Sequence, residues 1–379
     1  MTDPDLVDRF SIGPKGDFQE NGEPDVLYRN LGGTNFAPVS FTDGSFLDED
    51  GQPLAKAPLD WGLSAMFRDI NGDGLPDLYV CNDFQSPDRF WINQGGGKFR
   101  LLPRLAQRKS SMSAMAVDFA DINRDGYDDF LVLEMMSREH AERMCFLSMP
   151  SDQSSVDRPQ YELNTLFLNR GDTTFAEIAQ LSGLEATEWA WSGIFLDVDL
   201  DGWEDLLVVN GIERTGRDLD VAAYLNQLRR RQLSDAEVFE ARRRFPKQAN
   251  GNLAFRNRGD LTFEEVSKAW GFDRKGTTTT MALADLDNDG DLDVVLNPLN
   301  GPALIYRNES TAPRIAVRLK GMPPNTRGIG SRIGVAGGPV PFQTQEMICG
   351  GRYLSCDDTI RTFAAGTATN LTIEVAWRS

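Results

Sequence analysis

The chain has 379 residues and a formal net charge of −18 at pH 7, from 39 Lys and Arg against 57 Asp and Glu. Such acidity excludes general nucleic-acid or anionic-membrane binding, because polyanionic partners select basic surfaces. No apolar run approaches the length of a membrane span, no secretory signal follows Met1, and the length suits either several domains or one large all-β domain.

The first hairpin signal is Asn30-Leu31-Gly32-Gly33-Thr34-Asn35-Phe36, a polar, glycine-bearing turn. The first acidic loop runs from Asp69 to Asp77, with Asp69, Asn71, Asp73 and Asp77 at positions one, three, five and nine and Gly74 at six. Calcium takes about six to eight hard oxygen ligands at roughly 2.3–2.6 Å. Alternate residues of a tight loop can point one way at such an ion, and the glycine permits the turn that brings position nine back. The carbonyl of Leu75, at position seven, is the expected main-chain ligand. An EF-hand would need Glu at position twelve, whereas Val80 stands there inside an apolar run, so the loop is expected between two strands.

The pattern recurs three times. Asp121, Asn123, Asp125, Tyr127 and Asp129 repeat it, as do Asp197, Asp199, Asp201, Trp203 and Asp205, and then Asp285, Asp287, Asp289, Asp291 and Asp293. Asp-Gly clusters also make plain hairpin turns. Four copies with the same offsets favour calcium instead, and four bound ions would bring the net charge to about −10. Low-micromolar cytosolic calcium would leave weak sites empty, so the loops point to an extracellular, cell-surface or periplasmic setting; the lack of a signal peptide points the other way. The same template laid on Asp3-Pro4-Asp5-Leu6-Val7 reads as the tail of a further loop, which makes the first repeat incomplete and suggests a fragment of a longer protein.

Asparagine-led turns follow the loops at Asn93 to Phe99, Asn169 to Phe175 and Asn257 to Phe263, with a degenerate copy at Tyr306 to Ser310. The unit therefore reads strand, acidic loop, strand, connection, strand, glycine turn, strand, which is the plan of a propeller blade. Small residues before each loop, as in Ser64-Ala65 and Ser192-Gly193, suit an inner strand near a central channel. Two inserts interrupt the repeats, at about 134–162 and 213–251. The second predicts a helix over Leu219 to Leu233, then a capping box at Ser234-Asp235-Ala236-Glu237 opening a helix to Phe245. Its arginines, Arg229, Arg230, Arg231, Arg242, Arg243 and Arg244, are read as a solvated face docked on the acidic propeller in preference to a partner site.

The pattern changes after residue 312. Residues 313–379, from the alternating Arg314 to Lys320 to the closing strand Leu371 to Trp377, are expected to form a small β domain packed on the last blade. Cys81, Cys145, Cys349 and Cys356 lack zinc spacing; a Cys349–Cys356 bridge and four reduced thiols are equally open. His140 is the single histidine and reads as an exposed loop residue, while Trp189, Trp191 and Trp203 read as core before sugar-stacking platforms.

The repeats resemble the FG-GAP/VCBS repeats of integrin-α-type β-propellers. The C-terminal stretch resembles the ASPIC/UnbV domain through Arg327-Gly328-Ile329-Gly330-Ser331-Arg332-Ile333, Gln345, Gly350-Gly351-Arg352-Tyr353-Leu354-Ser355 and Trp377. Together they resemble the cartilage acidic protein family and its bacterial relatives. The resemblance implies an all-β, integrin-α-like propeller over 1–312, here with an incomplete set of blades, a helical insert and a C-terminal β domain. It further implies calcium held by the loop residues named above, a protein or glycan partner outside the cell, and no catalytic residues to carry over. The expectation is a non-enzymatic scaffold or adhesion protein with structural calcium. The alternative is a carbohydrate-active hydrolase or lyase using channel carboxylates.

Overall fold

A computed structural model of the protein describes residues 10–12, 18–84, 86–146, 159–216, 218–229, 234–248 and 250–378. The loop tail at Asp3–Val7, Arg230, Arg231, the middle of the 134–162 connection and the side chains of Cys145 and Arg229 lie outside this description.

The described residues form an all-β, propeller-like fold of four repeated sheets. Blade 1 orders its strands Gly62–Arg68, Asp77–Asn82, Arg89–Asn93 and Phe99–Leu101, and the short strand Phe46–Leu47 adds to its outer edge in parallel. Blade 2 comprises Ala116–Ala120, Asp129–Leu133, Thr165–Asn169 and Phe175–Glu177. Blade 3 comprises Ala190–Leu196, Asp205–Asn210, Leu253–Asn257 and Phe263–Glu265. Blade 4 has Thr278–Ala284, Asp293–Pro298 and Leu304–Tyr306, one strand fewer than the repeat predicts among the described residues. Ahead of blade 1, Leu27–Gly32 and Asn35–Val39 pair as an antiparallel hairpin.

The period of two along each second strand builds the core. Phe130 and Val132 face blade 1 and join Tyr79, Cys81 and Phe90, while Leu131 and Leu133 face blade 3 and join Leu206 and Val208. Leu207 and Val209 then turn to blade 4, packing with Met281 and Leu296. Each of these strands is sandwiched between neighbours, which is why its sequence is apolar on both faces. Complete burial of each such side chain contributes about 1.5–3 kcal/mol.

The insert helices are Leu219–Arg229 and Asp235–Arg242, and the capping box forms as the sequence predicts: the Glu237 N–H donates to Ser234 Oγ and the Ser234 N–H to Glu237 Oε2. Among the arginines named in the sequence, Arg243 and Arg244 find partners within the insert. Arg243 pairs with Glu240, Arg244 lies 4.3 Å from the Tyr224 ring centroid, and Arg214 donates to the Arg243 and Phe245 carbonyls. Carbonyls exposed beyond the end of a helix are natural guanidinium acceptors.

The C-terminal residues form two small sheets. Arg314–Val317 pairs with Arg361–Ala364, and Arg332–Ala336 lies between Phe342–Glu346 and Thr372–Ala376. They do not sit on the last blade alone. The segment 350–358 crosses the inner strands of all four blades. Gly351 abuts Met66, where a Cβ would collide with the methionine side chain. The Arg352 guanidinium reaches Asp118, and the Tyr353 ring lies 5.5 Å from that of Trp191. Ser355 Oγ donates to the Met281 carbonyl at 2.6 Å, and the Leu283 N–H donates to Asp357 at 3.0 Å. The plug meets Met66, Asp118, Trp191 and Met281 of these strands, whereas Gly193 packs on Leu133 and Leu206.

Charge is compensated inside it. Burial opposes the charge on Arg352, whose side chain is 6 % exposed, but Asp118 and Asp357 outweigh burial and hold its pKa above the ordinary arginine value. Arg361 lies in the same region without so close a carboxylate. Burial pushes its pKa down to about 10, and it donates to the Glu346 and Ile360 carbonyls.

Candidate metal centres

All four acidic loops share one hydrogen-bonded skeleton. The N–H at position six donates to the position-one carboxylate: Gly74 to Asp69 at 2.8 Å, Gly126 to Asp121 at 3.0 Å, Gly202 to Asp197 at 2.8 Å and Gly290 to Asp285 at 3.1 Å. The N–H at position seven donates to the position-five carboxylate, at 2.7 Å from Leu75 to Asp73 and at 2.9 Å from Tyr127 to Asp125, with the same bond from Trp203 to Asp201 and Asp291 to Asp289. Position four is left-handed in every copy, at Gly72, Arg124, Leu200 and Asn288. Sequence reasoning missed that feature, since only one of the four is glycine.

Position nine joins the loop to the asparagine turn. One oxygen of Asp77, Asp129, Asp205 or Asp293 accepts the N–H of position two, from Ile70, Ile122, Val198 or Leu286. The other accepts the N–H of Asn93, Asn169, Asn257 or Asn308, at 2.7–2.9 Å. Each of the last three asparagines then reaches into the preceding blade: Asn169 Nδ2 donates to the Ile70 carbonyl at 3.1 Å, Asn257 to that of Ile122 at 3.0 Å and Asn308 to that of Val198 at 2.9 Å. The position-seven side chain packs over the glycine of the same turn. A Cβ on Gly171 would meet the Tyr127 ring at 2.7 Å, and one on Gly259 would meet Trp203 at 2.9 Å. Both glycines also have φ near +70°, so the turn requires glycine twice over. The two sequence motifs are thus halves of one joint.

Carboxylates converge most closely in two loops. One oxygen each from Asp197, Asp199 and Asp205 lie within 4.8 Å of one another, as do those of Asp285, Asp287 and Asp289. No other three such side chains meet so closely among the described residues. Asp201, whose oxygens meet the Trp203 N–H and the Arg256 guanidinium, lies outside the first triad, and Asp293 lies outside the second. In loops 1 and 2 the amides of Asn71 and Asn123 donate to Asp73 and Asp125 at 3.0 and 2.9 Å, turning position three inward on the loop itself.

Position three also predicts its neighbour. Where it is Asp, the residue before the turn asparagine is arginine: Arg256 binds Asp199 at 2.8 Å, and Arg307 binds Asp287 at 2.7 Å. Where it is Asn, that residue is Ile92 or Leu168. The extra position-three carboxylate of loops 3 and 4 thereby gains a compensating cation.

The donor set fits a hard divalent cation. Every side-chain candidate offers oxygen, and Asp69 Oδ1 and Asp199 Oδ1 are buried without hydrogen-bond partners. Burial pushes Asp121 up to about 6, Asp77 up to about 7 and Asp129 up to about 9, and it also raises Asp197 and Asp205 well above the usual carboxylate range. A cation among these groups would reverse that preference for the neutral form.

The FG-GAP-like repeat family model matches residues 69–132 and 235–296, taking in loops 1, 2 and 4 whole. FG-GAP-like repeats are therefore present at two places in the chain. No curated protein matches it. A solved structure of an Agrocybe aegerita lectin, described as the basis of specific recognition of non-reducing terminal N-acetylglucosamine, is 14% identical and superimposes with a TM-score of 0.34, covering 81% of this chain and 67% of that one. A likeness at that level bears on neither fold nor ligand.

Proposed function

We propose that the chain is a calcium-braced binding scaffold of the adhesion type, working outside the cytoplasm and engaging a protein or glycan. The observation that carries this is the convergence of oxygen donors in loops of one repeated geometry, closest at Asp197, Asp199 and Asp205 and at Asp285, Asp287 and Asp289. The ion would be held by the side chains at positions one, three, five and nine of each loop, with the carbonyl at position seven. Bound there, calcium supplies charge neutralisation and a cross-link between strands, which is a structural role. The loops shape themselves around it through the glycine at six and the left-handed residue at four.

The non-enzymatic part of the reading draws support from the hub. A cavity of about 50 Å³ remains there, walled by Arg68, Glu204, Glu346, Arg352 and Arg361 among others, and the plug segment occupies the axis where a channel active site would lie. His140 is exposed at the start of the helix His140–Phe146. We further assign residues 313–379 to an ASPIC/UnbV-like domain. Two of its motif residues reach the propeller, Arg332 donating to the Gly126 carbonyl and Arg352 paired to Asp118, while Gln345 donates within the C-terminal sheets to the Thr362 carbonyl.

The experiment is a calcium titration of chelator-stripped protein by calorimetry, with melts in parallel. About four sites and a clear rise in melting temperature are expected, since a ligand that binds only the folded state stabilises it. Absence of binding at millimolar calcium would overturn the reading. Asp289→Ala should remove one site and lower the calcium-dependent part of the melting shift.

A further inference from the structure

Cys349 and Cys356 bracket the segment that plugs the hub. Their Sγ atoms lie 3.6 Å apart, and both residues are exposed. The eight residues from one to the other turn back on themselves: Gly350, Gly351 and Leu354 have φ of 86°, 85° and 51°, and Arg352 and Ser355 form an isolated antiparallel bridge. The Gly350 N–H points at Cys356 Sγ at 3.2 Å, so the two sulfurs already share one small pocket at the base of the loop. By contrast, Cys81 is fully buried between blades 1 and 2. From these observations we infer that Cys349 and Cys356 form a disulfide that fastens the hub segment in place.

The chemistry is a thiol–disulfide exchange with a small-molecule disulfide such as glutathione disulfide. The Cys349 thiolate, having lost its proton to water, attacks one glutathione sulfur and expels a glutathione thiolate. The Cys356 thiolate then attacks Cys349 Sγ in the mixed disulfide and expels the second glutathione. Two protein thiols are oxidised, and one glutathione disulfide is reduced to two glutathiones. Closing the bond brings the two sulfurs from 3.6 Å to a separation of about 2.05 Å. Its effect follows from what the loop holds. Arg352, Tyr353 and Ser355 touch blades 2, 3 and 4, and two glycines with an unfavourable Leu354 make the open loop entropically costly to order. Closing it restricts the unfolded chain and favours the seated form. The inference is independent of calcium, since its readout is sulfur chemistry.

Trypsin provides the test, because Arg352 lies between the two cysteines. Folded protein is incubated with glutathione disulfide, acid-quenched, alkylated in denaturant and digested without reductant. Peptides 333–352 and 353–361 are expected as one linked species that separates on reduction, with the other two cysteines alkylated. Recovery of the two peptides apart, whether alkylated or carrying glutathione, or joined to another cysteine, would overturn the bond. In parallel, the oxidised protein should melt about 3 °C or more above the reduced protein. The double variant Cys349→Ser/Cys356→Ser should melt at one temperature with or without reductant. Equal melting of oxidised and reduced wild type would overturn the fastening role even where the linked peptide is found.

Discussion

Asn257 shows how much one side chain carries in this repeat. Its backbone N–H binds Asp205, its side-chain amide donates to the carbonyls of Ile122 and Glu204, and its side-chain oxygen accepts the Gly259 N–H. With the residue 2 % exposed, Asn257→Ala strands two buried carbonyls and an N–H. A loss of about 2–4 kcal/mol is expected, read as a lower denaturant midpoint both in calcium and without it, while calcium stoichiometry stays the same. Arg256→Gln should act oppositely on the neighbouring site. It removes a cation bound to Asp199 and Asp201, so calcium affinity at loop 3 should rise about threefold, a gain that calorimetry on a loop-isolating background would detect and that added salt would shrink. The ligand spacing was legible because it is local and repeated. The role of the asparagine was not, because its partner lies in another blade more than a hundred residues away in sequence for Asn257 and Ile122.

At the level of the loop as an element, protonation and calcium compete. Burial raises Asp77 to about 7 and Asp129 to about 9 from the ordinary value of 3.8, so the calcium-free folded state binds protons that the unfolded chain releases. That contribution to stability is complete below about pH 4 and is lost as pH rises through those folded values. Stripped protein should therefore melt progressively lower between pH 5 and about pH 9, and saturating calcium should flatten or reverse the slope. An unchanged slope in calcium would separate these carboxylates from the metal. Among the elements, the blade strands and the Ser234 capping box were legible from periodicity and a four-residue motif. The contacts of the insert's arginines were not legible, because charge on a sequence does not show that Arg243 will pair with Glu240 or Arg244 lie over the Tyr224 ring.

Across the whole molecule the hub ties the repeats to the C-terminal sheets. Arg352→Met would remove the cation that pairs with both buried carboxylates, leaving Asp118 only the Arg68 guanidinium at 3.9 Å. Such one-sided removal costs about 3–5 kcal/mol, expected as a large drop in urea midpoint with the calcium sites still present. A sequence pattern placed the C-terminal strands but not their seat, since contacts such as Gly351 to Met66 join segments with nothing between them to mark the meeting. The blade joints carry a different lesson. The clasps of Asn169, Asn257 and Asn308 close backward, on the position-two carbonyl of the preceding blade. A polypeptide emerging from the ribosome meets its own docking points in the order it needs them, so each finished blade is the mould for the next, and whole repeats can be added to or removed from the row without cutting a clasp in half.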